Sequence, residues 1–145
     1  MNKIAGAIFP VPEKLVRRLI VEKRNVFVKY IARTTKLRIA SKNKAIFYAS
    51  HGSKELVGEG TIQVIEFLTP SDVLQKYGEK VFLDKDELME YAMQRPGRTL
   101  TKKMLVLVLS KLKEYSPHLK YERPITMAGL YLTEEECNEL LRQLT

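Results

Sequence analysis

Six consecutive apolar residues, Met104 to Leu109, stand between Lys102-Lys103 and Ser110-Lys111. A run of that length with charged flanks reads as a strand buried on both faces. It therefore demands a sheet around it and cover on each side. The remaining apolar runs supply the neighbours. Ile4 to Phe9 reads as a first strand, closed off by Pro10 and Pro12. Asn25 to Ile31 is rich in β-branched and aromatic residues, Ala45 to Ala49 is a short buried strand, and Leu56 to Leu68 is a longer one.

Helices are announced by their ends. Pro12 leads one from about Glu13 to Val21, with Leu15 and Leu19 inward. Thr69-Pro-Ser-Asp offers an N-cap, a proline at the first helical position and an acid at the third, so a helix runs to about Gly78. Asp84 with Glu87 makes a capping box for a helix to about Gln94, and Thr133 with Glu136 makes another at the C-terminal end. Tyr115 to Glu122 reads as a polar loop. Strands in a consecutive block, with helices apart from them, predict an α+β fold with a mixed or barrel-like sheet.

A chain of 145 residues fits a single domain over 1–145 with a true core. No apolar run approaches the roughly 20 residues of a membrane span, and the opening residues lack the apolar core of a signal peptide. A single cysteine excludes an internal disulfide and fits a reducing compartment. A cytoplasmic protein with no membrane partner is expected. Cys137 falls on one helical stripe with Leu140, Leu141 and Leu144, which makes it packing rather than a nucleophile.

Charge is segregated. Residues 1–54 hold thirteen basic side chains against two acidic, and residues 55–94 hold three against nine. Residues 95–125 return to eight basic against two acidic. A concentrated positive region attracts polyanions more strongly than the same charge scattered, and nucleic acid is the first partner to consider. From Lys29 to Tyr48 the basic residues are interleaved with Tyr30, Thr34, Thr35 and Tyr48. Lys and Arg neutralise phosphates, and Tyr stacks on unpaired bases. Arg95, Arg98, Lys102 and Lys103 extend that face.

Other constellations point to no chemistry. Gly58 and Gly60 sit inside a strand pattern with no following helix, so close packing or a bulge explains them better than a phosphate loop. His51 and His118 have no partner at metal-ligand spacing, and Asp84, Asp86 and Glu87 are accounted for by helix capping. No cofactor or metal is expected, and on motifs alone no enzyme is visible.

Taken in order, several segments resemble the ASCH branch of the PUA-like superfamily. They are Ile4 to Phe9, Pro12 to Val21, Glu22-Lys-Arg-Asn-Val-Phe-Val-Lys29, Tyr48-Ala-Ser50, Leu56-Val-Gly-Glu-Gly60, Glu87-Leu-Met-Glu-Tyr91, Met104 to Leu109 and Arg123-Pro-Ile125. The likeness spans about residues 3–126 and looks most like an archaeal group of unassigned function. It implies a mixed β-barrel flanked by short helices, with the segment 127–145 as an added C-terminal helical extension. It also implies a cleft that engages RNA or another nucleic acid. Some members resemble hydrolases of modified nucleosides. Here Arg24 takes the place of the motif lysine, Phe27 that of the motif glutamate or threonine, and Lys29 that of the motif arginine. Phenylalanine neither attacks a carbonyl nor relays a proton.

The expectation is a non-enzymatic binding module, for RNA before DNA, of unspecified oligomeric state. Its binding residues are Arg24, Lys29, Arg33, Lys36, Arg38, Lys42, Lys44 and Lys102, with Tyr48, Ser50 and Tyr91 lining the cleft. The alternatives are a hydrolase using Thr34, Thr35 and Lys36 with Glu59 or Glu66, and a protein-interaction domain using the acidic block from Asp84 to Glu90.

Overall fold

A computed structural model describes residues 3–31, 37–94, 102–123, 125–126 and 128–143. In chain order the elements are β1 (Ile4–Val11), α1 (Glu13–Ile20), β2 (Val26–Lys29), β3 (Lys44–Ala49) and β4 (Glu55–Leu68). There follow α2 (Pro70–Tyr77), a 3₁₀ turn at Gly78–Lys80, α3 (Lys85–Met93), β5 (Met104–Lys120), β6 (Leu130–Thr133) and α4 (Glu134–Arg142). All six strands join one sheet in the order β2-β5-β4-β3-β1-β6. Only β1 and β3 run parallel; the other neighbours are antiparallel. The fold is α+β with a mixed sheet, as expected. The strands curl far enough to bring the Phe9 ring of β1 within 5.0 Å of Phe27 of β2. The expected barrel is nevertheless not closed, because no ladder joins β2 to β1 or β6. No helix of the described residues is long and apolar enough to cross a membrane.

Strand alternation divides the apolar side chains between two faces. Ala45, Phe47 and Ala49 of β3, with Phe9, Phe27 and Phe82, fill the inside of the curl. Ile46 and Tyr48 point the other way, into a second cluster that Cys137 and Leu140 of α4 cover. Met104, Leu105, Val106 and Leu107 are buried, as a central strand requires. The caps form where the sequence places them. Thr69 accepts from the Asp72 N–H at 3.3 Å, and Asp84/Glu87 and Thr133/Glu136 form reciprocal capping boxes.

Three segments differ from the sequence reading. Tyr115 to Lys120 is strand rather than loop, because β4 continues to pair with β5 as far as Glu55 opposite Lys120. Tyr115 is only 1% exposed there, anchoring a stretch whose polar composition hides its strand character. The pairing with β1 is made by β6, whereas Arg123 lies in a bend outside any strand. Finally, β1 continues through Pro10. Pairing with β6 reaches only to Ile8, so the missing N–H of Pro10 falls where no ladder needs it. Gly58 marks a slip in the β4–β5 register, and a Cβ there would lie 2.4 Å from the Lys113 carbonyl oxygen. Close packing, not phosphate binding, is its role.

Candidate nucleic-acid interface

The unclosed seam between β2 and the β1–β6 side is where side chains converge. Lys29 ends β2 and lines two adjoining recesses. The larger, about 340 Å³, runs between Val11, Phe27 and Phe82 on one side and Tyr91 and Glu90 of α3 on the other. The smaller, about 140 Å³, is walled by Phe9, Ile31, Leu37, Ile39, Leu130 and Tyr131.

Aromatic rings and cations alternate along this seam. Arg38 lies over the Tyr131 ring at 5.6 Å, and the Tyr131 hydroxyl accepts the Arg38 backbone N–H at 3.3 Å. Lys102 Nζ lies 5.7 Å from the centre of the Tyr30 ring. Tyr30 packs on Tyr91 with ring centres 5.2 Å apart, and the Tyr91 hydroxyl accepts the Tyr30 backbone N–H at 2.9 Å. Cation–π contact at such distances holds an exposed side chain while leaving its charge to a further anion. Arg38 and Lys102 are both exposed.

The α3 wall is fixed from behind. Arg18 of α1 donates to Glu87 Oε1 at 2.5 Å and to the Phe82 carbonyl at 3.2 Å. That guanidinium hydrogen bond holds the Glu87 carboxyl below the usual carboxylate range. Arg24 donates to the Val81 carbonyl at 2.9 Å and to Asp84 at 2.8 Å.

The expected binding residues therefore separate. Lys29, Arg38, Tyr91 and Lys102 come together on the seam. Arg24 is engaged in bracing the start of α3. Lys44 pairs with Glu59 at 2.5 Å, and Glu59, 4% exposed, also accepts from the Tyr115 hydroxyl at 3.1 Å. Tyr48 packs on the second cluster, on the opposite face of β3 from Phe47. Ser50 follows β3 in a turn and donates its N–H to the Val11 carbonyl at 3.0 Å. Lys42 is an exposed turn residue with φ 76°. Arg33, Thr34, Thr35, Lys36, Arg95 and Arg98 lie outside the described residues.

For the hydrolase alternative, Glu59 and Glu66 sit in separate pairs. Glu66 accepts from Lys76 and Tyr77, and the Lys76 hydrogen bond lowers its carboxyl pKa. Phe27 is buried among Phe9, Phe47 and Phe82. Cys137 is buried on the inner face of α4, and desolvation pushes its thiol pKa up to about 11, which suits packing and not attack. Tyr131 and Gln94 were not among the predicted site residues, and Glu90 only as the end of the acidic block offered to a protein partner. The spacing Glu87, Glu90, Tyr91, Gln94 was a readable signal, since i, i+3, i+4 and i+7 share one helix face.

A family model described as a domain of unknown function, DUF365, matches residues 4–134. The chain is 31% identical over 107 residues to an uncharacterized protein of Methanocaldococcus jannaschii, covering 70% of this chain and 99% of that one. Among solved structures, the ASCH protein of Zymomonas mobilis superposes with a TM-score of 0.79 at 16% identity, over 97% of this chain and 96% of that one. A single-substitution mutant of it gives 0.80 at 15% identity, over 97% and 99%. The N-terminal domain of Staphylothermus marinus McrB gives 0.55 at 12% identity, over 84% and 82%. At these identities the likeness is one of fold.

Proposed function

The chain belongs to the DUF365 family, and we propose that it is a nucleic-acid-binding module whose seam holds single-stranded RNA. One observation carries the reading. Lys29 lines both apolar recesses of the unclosed edge, Arg38 lies over the half-buried Tyr131 ring that walls one of them, and Lys102 lies over the buried Tyr30, which packs on Tyr91 of the other. Cations that track a phosphate backbone, beside rings on which bases stack, are the working parts of single-strand binders. RNA is placed ahead of DNA on the sequence resemblance to the PUA-like superfamily; the ASCH-like fold supports nucleic-acid binding in general. No catalytic step is assigned to the seam, and a cytoplasmic location is part of the proposal.

The test is fluorescence anisotropy with labelled single-stranded RNA, duplex RNA, single-stranded DNA and duplex DNA at two salt concentrations. Salt-sensitive binding with single-stranded RNA tightest is expected. Binding to none of the four, or a preference for duplex, contradicts the reading.

A further inference from the structure

One wall of the larger recess carries the wrong charge for phosphate. Glu87, Glu90, Tyr91 and Gln94 all line it, opposite Phe27, Val28 and Phe82. Glu87 is already taken by Arg18 and by the Asp84 backbone N–H at 2.8 Å. Glu90 is exposed, and among the described residues it has no hydrogen-bond or ion-pair partner. A carboxylate there repels a phosphate, whereas Arg38 and Lys102 lie elsewhere along the seam. The charges are thus sorted, with Arg38 and Lys102 where a backbone runs, Lys29 at the junction of the two recesses, and an acceptor on the α3 wall where a base enters.

An ionised carboxylate only accepts hydrogen bonds, and it does so with two oxygens. Guanine presents two adjacent N–H donors, N1–H and N2–H₂, on its Watson–Crick edge. Adenine and cytosine offer one amino group there, and uracil one imide N–H. An apolar slot with a few convergent polar groups is the usual make-up of a small-ligand site, and a volume of about 340 Å³ falls within the usual range.

Resting on the nucleic-acid reading above, we propose that this recess reads an unpaired guanine. Glu90 accepts N1–H and N2–H, and the ring lies between Tyr91 and the apolar wall. The inosine base lacks the N2 amino group and tests the claim directly, because a site built to pair a donor rejects the analogue without it.

The experiment is anisotropy with uridine heptamers carrying one central guanosine, inosine, adenosine or cytidine, at fixed salt. The guanosine oligomer should bind about tenfold tighter than the other three, the scale of one bidentate base contact. Glu90→Gln should cut that preference to within about threefold and leave the salt dependence unchanged. Glu90 is exposed, so the variant should fold, and a matching thermal midpoint checks it. Equal binding of all four oligomers, or a guanosine preference that persists in both Glu90→Gln and Glu90→Ala, overturns this inference and leaves the nucleic-acid reading standing. Binding of no oligomer overturns both.

Discussion

Lys29 and Lys44 belong to the same basic stretch of sequence and end in opposite settings. Lys29 finishes a strand beside an unclosed seam, between two recesses lined by rings and apolar side chains. Lys44 starts a strand whose neighbour on β4 is a buried carboxylate, and that pair is completed by a tyrosine hydroxyl. The same split separates Arg38 from Arg24, and Tyr91 from Tyr48. A charge cluster in sequence is therefore not yet a binding face. Strand alternation and the burial of nearby acids decide which of its members reach a ligand. Of the six expected cations that can be described, two, Arg24 and Lys44, are structural.

Breaking the structural contacts should cost the most stability. Lys44→Met leaves the Glu59 carboxylate buried with one remaining partner, and the penalty for such a group is about 1–3 kcal/mol. Urea unfolding measures it, and RNA affinity should stay within about twofold, the scale of a site with no phosphate contact. Adding Glu59→Leu together with Tyr115→Phe should restore most of the loss, since replacing every member of a buried polar group by apolar side chains is often close to neutral. A fall in affinity without a fall in stability would put Lys44 on the binding face instead.

The brace behind α3 sharpens the comparison with a smaller effect. Glu87 has a folded pKa depressed by Arg18. Its contribution is present above the unfolded carboxylate value and disappears as pH falls through the folded one. Arg18→Met should therefore lower stability at neutral pH by about 0.5–1 kcal/mol, the scale of a partly solvated pair. The gap to the unaltered protein should close on acidification below about pH 4, where unperturbed glutamates protonate. Thermal midpoints at pH 7 and pH 3 report it. A gap that stays constant across that range would mean that Arg18 acts through packing alone.

Much of the scaffold was legible because local chemistry fixes it. Thr69, Asp84 and Thr133 each satisfy orphan helix donors, which requires only the residues beside them. Cys137 followed from helical spacing, and the central strand from its unbroken apolar run. What stayed hidden depends on distant partners. Tyr115 to Lys120 looks like a loop until β4 pairs with it, and β6 is recognisable only as the mate of β1. The seam is hidden for the same reason. Tyr131 meets Arg38, and Lys102 meets Tyr30 at the end of the β2–β5 ladder, only through partners distant in sequence. Lys29, Arg38, Tyr91 and Lys102 could be named from the sequence; their grouping, and the separation of Lys44 and Tyr48 from them, could not.

The most direct measurement is the salt dependence of single-stranded RNA binding, compared between the unaltered protein, a Lys44→Met variant and a variant with Lys29→Ala, Arg38→Ala and Lys102→Ala together. If each of the three seam cations neutralises one phosphate, their removal should make the slope of log affinity against log salt shallower by about 2. Lys44→Met should leave that slope unchanged. A slope that survives the loss of all three seam cations, or one that flattens with Lys44 alone, would contradict the assignment of the seam as the nucleic-acid interface.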